Sequence, residues 1–418
     1  MFAPPARLPL ALFLCICASI PPLTTAQDSA SPQETKPAPE VTPDAPQEQA
    51  DAQPPSFDPS KMELTPEEER IKAKYNDIRE KTRESILNMR ELYTRYANKA
   101  DRSPEAFERF HETSIASRKL LDELYQAAYE MLILIPDQEA AQYLLTMVEH
   151  NYTNSNYDEL TMKGGALLMD LDFNQTFLYR AVSRASICTG EFEIAKKVYE
   201  YMNREAFDDL DKRFSYQIET LEKQWAQEKE RRAEDAKNNL PRVRLRTTKG
   251  DVVVELFLED APSTVSNFIS LVEEGFYDGI DFHQVLDDLL ALTGDESGQG
   301  DGNSGKFLVD EHLREGSRNA FRGSLVMAKL PREDGSFLPD TASTQFAIFF
   351  TPIPEVREKQ TVFGRVIEGM GLLSEIRRVD QNKEKKKDEV VLPPDRIIEA
   401  EVIRRPEKMP EPVYRTYQ

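Results

Sequence analysis

Residues 282–295 read FHQVLDDLLALTGD and run into the glycine-rich loop GDESGQGDGNSGK. An apolar run that empties into Gly, Asp, Ser and Gln has the layout of a binding-site wall and its rim. Few side chains in it can do chemistry. Gln284 offers a neutral amide, which donates and accepts hydrogen bonds but carries no charge. His283 can titrate near neutral pH, but no carboxylate or nucleophile partner stands with it, which predicts a structural role. The loop lacks the lysine spacing and the following helix of a phosphate-binding loop. His111, His150, His283 and His312 are scattered, with no metal-ligand spacing. Cys188 lies in an apolar helical pattern and is expected to be a buried structural thiol. No metal or cofactor is expected.

The elements around this stretch are short strands. RVRLRTTKGDVVVELFLEDAP (242–262) alternates, turns at 248–251 and continues as a strand. VSNFISLVEEG (265–275) has Val265, Phe268, Ile269 and Val272 on one helical face, with Gly275 to stop it. GSLVMAKL, TQFAIFF, TVFGRVI and RIIEAEVIRR read as further strands, and EGMGLLSEI as a second helix. Many short strands with two helices predict a closed antiparallel barrel with a helix over each end, spanning 241–405. Residues 406–418 read as a tail.

Upstream the texture is helical. Thr65-Pro-Glu-Glu supplies an N-cap, a proline at the first helical position and a glutamate at the third. Apolar residues then recur at three- and four-residue spacing, as in Ile86, Met89, Leu92 and Tyr93. Residues 61–205 are predicted to be an all-α domain, and 206–240 a charged helical connector, either a cap or a stiff spacer. In the connector Phe214, Ile218, Leu221 and Trp225 share one face. SNYDEL (155–160) and GEFEIA (190–195) match in pattern, with Tyr157 and Phe192 in corresponding places. Their separation is that of helix–turn–helix repeats near ~34 residues. LYRAVSRASICTGEFEIAKKVYEYM resembles a tetratricopeptide repeat, which implies a solenoid that binds a protein partner; an ordinary helical bundle is the other reading.

The N-terminus, MFAPPARLPLALFLCICASIPPLTTAQ, has one cation, an apolar stretch and small residues before Gln27. That is the layout of a secretory signal peptide over 1–26, with a retained anchor as the alternative. Residues 27–60 are Pro- and Gln-rich with little to bury, so a disordered linker is expected. The chain is thus expected to be exported, to the periplasm or the cell exterior. After cleavage no membrane attachment is expected, since no other run approaches ~20 apolar residues. A net charge of −21 argues against nucleic acid as a partner.

Four blocks, TTKGDVVVELFLEDAPSTVSNFISLVEEGFYDGIDFH, FRGSLVMAKL, TASTQFAIFF and QTVFGRVIEGMGLLSEI, occur in the order found in cyclophilins. Residues 241–405 therefore resemble a cyclophilin-type peptidyl-prolyl cis-trans isomerase domain. The resemblance implies proline-containing polypeptides or client proteins as partners, and rotation about an X–Pro bond as the reaction. The barrier is ~20 kcal/mol because the amide is conjugated. In the family an arginine donates a hydrogen bond towards the proline nitrogen, which favours the twisted state without a covalent step or cofactor.

The resemblance puts Gln284 at that arginine's place. It puts Leu289 and Leu290 where Phe and Met form the pocket wall, and Leu292 where a glutamine holds the peptide backbone. Ala347 stands for the pocket-floor phenylalanine and Gln360 for the pocket histidine. Phe282, Met327, Gln345 and Phe346 keep the pattern, as do Gly294 and Asp295. A neutral amide donates a weaker bond than a guanidinium. A slow isomerase or prolyl-peptide binder is expected, with a non-enzymatic interaction scaffold as the alternative. Arg357 or Lys359 are the cations that could restore the charge.

Overall fold

The computed structural model describes residues 64–98, 103–332, 334, 336–380 and 392–415. The expected signal peptide, the linker over 27–60 and the end of the tail lie outside them. Among the described residues, no helix is long and apolar enough to cross a membrane.

Helix α1 (Pro66–Ala97) starts at the predicted place, where Thr65 and Glu68 form a reciprocal capping box. α2 (Pro104–Leu134) follows, then α3 (Gln138–Thr153), α4 (Glu159–Asp170), α5 (Thr176–Thr189), α6 (Phe192–Tyr201) and α7 (Asp209–Asp235). Short links fold successive helices back on one another, α1 against α2 and α4 against α5. Leu124, Ala128, Met131 and Leu144 are buried in the first helical core, Phe192, Phe214 and Leu221 in the second. Tyr157 and Phe192 are both buried, but their settings differ. Tyr157 precedes the N-cap Asp158, whereas Phe192 is the first residue of its helix.

The second region is a curled antiparallel sheet of eight strands in the order β3-β4-β6-β5-β7-β2-β1-β8. They are β1 (Arg242–Thr247), β2 (Gly250–Leu256), β3 (Gln284–Leu286), β4 (Leu290–Thr293), β5 (Ser324–Met327), β6 (Phe346–Phe349), β7 (Val362–Glu368) and β8 (Ile397–Arg404). β3 and β8 are the sheet's edges. The segment before β3 bonds to the start of β8, through Gly279 N–H to Ile397 O and Ile397 N–H to Ile280 O, both 2.8 Å. Helix α8 (Pro262–Glu273) and the short α9 (Met370–Ser374) flank the sheet.

The concave face holds the main core: Val254, Phe268, Phe282, Leu325, Phe346, Ile348 and Phe363 are all at or near zero exposure. Phe346 meets Phe268 edge-on at 5.3 Å and Tyr277 at 5.6 Å, a geometry that aligns ring edges with ring faces. The segment read as a tail packs here too. Met409 and Tyr414 lie against the core, and the Tyr414 hydroxyl donates to Asn267 Oδ1 at 2.8 Å.

The two regions meet through buried polar contacts. Trp225 of α7 packs edge-on against Phe321 at 4.9 Å. Arg318 reaches Asp235 of α7 at 2.7 Å and Asp260 at 2.7 Å, and Arg365 reaches Asp235 at 3.1 Å and Glu255 at 2.8 Å. Arg322 donates to Ser155 O at 3.1 Å and to Asn156 Oδ1 at 2.7 Å. The connector helix thus packs against α5 and α6 and is tied to the second region at Trp225 and Asp235.

Candidate prolyl-peptide site on the convex face

Cross-strand partners share a face of a sheet. Gln284 pairs with Leu292, Leu292 with Ala347, Ala347 with Val326, and Val326 with Val362. These residues form one continuous row across β3, β4, β6, β5 and β7 on the convex face. The next row starts Leu286, Leu290, Phe349. All of it is apolar except the end at Gln284. The intervening positions Val285, Ala291, Ile348 and Leu325 point inward and are buried.

Residues outside the row's strands cover part of it. Ile353 and Val356 come from a 3-10 turn (Pro354–Glu358), and with Leu240, Phe257 and Ala320 they pack over Val326, Val362, Phe349 and Ala347. Ala347 is only 6% exposed. Leu290 and Leu292 remain half-buried, as does Gln284, so the accessible part of the row is its β3–β4 end. Glycine is required at one point beside it. Gly294 has φ +88°, and a Cβ there would meet the Thr344 carbonyl oxygen at 2.4 Å.

The other sequence-predicted residues fall into groups. Phe282, Met327 and Phe346 face the concave core, on the opposite side of the sheet from Leu290 and Leu292. Gln345 lies just before β6, where its amide donates to Gly300 O at 3.1 Å and Gly302 O at 2.8 Å, pinning the glycine-rich loop. Gln360 donates to Met327 O at 3.1 Å. Leu289 is half-buried at the β3–β4 turn. Thus Gln284, Leu290, Leu292 and Ala347 are brought together, while the remaining residues support them from behind or from the rim.

Neither expected cation is directed at the row. Arg357 donates to Ser317 Oγ at 3.2 Å and lines a cavity of about 330 Å³ between α7 and residues 317–319. Lys359 is exposed. A second cavity, of about 280 Å³, lies between residues 276–281 and 295–298. Neither cavity is lined by a residue of the Gln284 row.

The electrostatics fit a site without an acid–base pair. His283 is buried, and burial pushes its pKa down from the ordinary 6.5 despite Asp295 nearby. Burial works against the charge of Asp295 as well. The amides of Ser297 at 2.8 Å and Gly300 at 2.5 Å nevertheless hold that carboxyl below its usual range. Asp295 thus organises the loop. Cys188 is buried and its thiol is pushed up to about 12 by that burial, so it stays protonated. Among the described residues there is no cluster of three or more His, Cys, Asp or Glu that could hold a metal.

Two features escaped the sequence reading. LDDLL is not one wall but a hairpin turn, and Asp288 stands in it at φ 58°. Aspartate tolerates the left-handed region better than most residues, so Asp-Asp inside an apolar run was the available signal. The second is Lys329, directly after β5 and Ala328, buried with Nζ 2.5 Å from Asp310 Oδ2 and 3.3 Å from Lys359 O. It is a cation beside the Gln360 corner, already neutralised by Asp310.

A family model described as cyclophilin type peptidyl-prolyl cis-trans isomerase/CLD matches residues 242–402. A peptidyl-prolyl cis-trans isomerase of Helicobacter pylori is 36% identical over 138 residues, 32% of this chain and 80% of that protein. The Schizosaccharomyces pombe peptidyl-prolyl cis-trans isomerase ppi1 is 36% identical over 132 residues, 31% of this chain and 81% of that protein. A crystal structure of a Cryptosporidium parvum cyclophilin type peptidyl-prolyl cis-trans isomerase aligns with 26% identity and a TM-score of 0.33, covering 40% of this chain and 99% of that one.

Proposed function

The chain belongs to the cyclophilin-type peptidyl-prolyl cis-trans isomerase family, and from that premise we propose that it is an exported folding factor that binds prolyl segments on the convex row and isomerises them slowly. The observation that carries this reading is the row itself, a half-buried amide at Gln284 continuing into half-buried Leu292 and Leu290. A proline ring lies on the leucines. The Gln284 amide donates a hydrogen bond towards the proline nitrogen as it pyramidalises, which lowers the barrier to rotation. Lacking a charge, that bond is about half as strong as an arginine's, so the rate is low. No covalent step or cofactor takes part.

The export and the location in the periplasm or cell exterior rest on the N-terminal signal-peptide pattern. The helical region, read as tetratricopeptide-like, holds client chains beside the sheet. A second reading, a non-enzymatic scaffold with a degenerate isomerase domain, is favoured by one observation: Ala347 is covered, so the floor of the row is shallow.

An isomerase assay on the full chain with an Ala-Pro tetrapeptide separates the two. Slow but measurable acceleration, increased by Gln284→Arg, supports the enzyme. No acceleration by either protein at high concentration leaves the scaffold.

A further inference from the structure

We propose that Tyr157 and Arg184 of the helical region are positioning residues for the convex-face row, acting through Asp288 at the tip of the β3–β4 hairpin. This rests on the row being the prolyl site, as argued above.

Every polar handle of Asp288 is taken, three of the four by the helical region. Its N–H donates to Ser155 Oγ at 2.9 Å. Its Oδ1 accepts from the Tyr157 hydroxyl at 2.5 Å, and its Oδ2 from Arg184 Nη1 at 2.9 Å. Its carbonyl accepts from Thr351 Oγ1 at 2.6 Å. The neighbouring Asp287 is held by Arg378 Nε at 2.6 Å.

The anchors are themselves fixed. Tyr157 and Arg184 are buried, and the Arg184 guanidinium also binds Asp208 and, at 3.1 Å, the fully buried Asp211. Burial opposes its charge, but the carboxylates of Asp288 and Asp211 hold the guanidinium in its charged form. Ser155 is pinned in turn, since Arg322 takes its carbonyl and Arg378 its hydroxyl at 3.3 Å.

The hairpin is short, with β3 at three residues and β4 at four. Such a hairpin has little stability of its own. Gln284 and Leu292 are cross-strand partners equally far from Asp288 along its two arms. Both are only half-buried, so packing alone does not fix their side chains. The left-handed turn at Asp288 sets the angle between the arms, and the helical region sets Asp288. The helical region is thereby part of the site's geometry as well as a neighbour of it.

The test uses the full chain carrying Tyr157→Phe, with Asp288→Asn as a second variant that keeps the turn preference and the side-chain shape. The readouts are tetrapeptide kcat and KM, the methyl resonances of Leu290 and Leu292, and the melting temperature. The expected result is a loss of about threefold to tenfold in kcat/KM, smaller than the hundredfold that an ångström of misplacement can cost. The Leu290 and Leu292 methyls shift, while those of the inward-facing Leu325 stay in place. Unmoved Leu290 and Leu292 methyls in both variants overturn the proposal, whatever the melting temperature does. A full chain without isomerase activity sinks the functional reading instead, and the methyl shifts then still decide whether the clamp positions the row.

Discussion

The two faces of the same strands have different contents. On the concave side Phe282, Phe346, Met327 and Ile348 are buried, and they match the residue types that the family blocks call for. On the convex side, one residue from the inward-facing Val285, Ala291 and Phe346, Gln284, Leu292 and Ala347 replace the arginine, glutamine and phenylalanine that the resemblance implies. Because strand side chains alternate, one set can be kept for packing while the other drifts. A sequence match over this region therefore reports the fold strongly and the chemistry weakly.

Perturbing each face separately tests that division. The largest effect is expected from Phe346→Ala, which removes a ring at the centre of an aromatic cluster with Phe268, Tyr277 and Phe363. A cost of about 3–5 kcal/mol is expected, read as a lower denaturant midpoint. A loss below about 1 kcal/mol, small for such a truncation, would break the claim that the concave face carries the fold. Ala347→Phe, one residue on, probes the other side. Because Ala347 is covered by Val356 and Leu292, the added ring is expected to cost about 1–3 kcal/mol through overpacking. A neutral result would mean that the floor is open, and the scaffold reading would lose its support.

Leu292→Gln restores a backbone-holding amide at a half-buried position. It is expected to lower KM for a prolyl tetrapeptide about threefold, within the net worth of one hydrogen bond. Its stability cost is expected to stay under that of Ala347→Phe. An unchanged KM would place the peptide elsewhere on the row.

The smallest effect concerns pH. Burial lowers the pKa of His283 from the ordinary 6.5, and His150 and His312 shift the same way for the same reason. The unfolded chain then binds protons first as pH falls. Stability is full above the ordinary histidine value and is lost as pH drops from there towards the folded values. Asp122, pushed up to about 6 by burial, pulls the other way in the same range, so the histidine contribution is read as a difference: between about pH 7.5 and 5.5 the urea midpoint of His283→Asn should fall less, or rise more, than that of the natural chain. The same pH slope in both proteins would contradict the burial of His283.

Local features were legible in the sequence where a local pattern carries them. The Thr65–Glu68 cap, the α7 face of Phe214, Ile218 and Leu221, and the strand–turn–strand at 242–256 all stand as read. The antiparallel strands were legible from their blocks, but the closed barrel expected from them is a curled sheet with β3 and β8 at its edges. The face of Phe282, Met327 and Phe346 was not, because belonging to a block says nothing about which side of the sheet a residue takes. The junction was illegible for a different reason. Ser155, Tyr157, Arg184 and Asp288 come from separate parts of the chain, and each looks like an ordinary surface or helix residue until the fold brings them together.

The central claim is that the convex row still binds prolyl segments and is limited chiefly by the missing charge at Gln284. The most direct measurement is kcat/KM for an Ala-Pro tetrapeptide with the full chain and with Gln284→Arg, alongside their denaturant midpoints. The account predicts slow catalysis by the natural chain and a rise of about tenfold or more on adding the guanidinium, as a charge-assisted bond worth ~1.4 kcal/mol more would give. The midpoints should not change. Equal, negligible rates from both proteins at unchanged stability would contradict it.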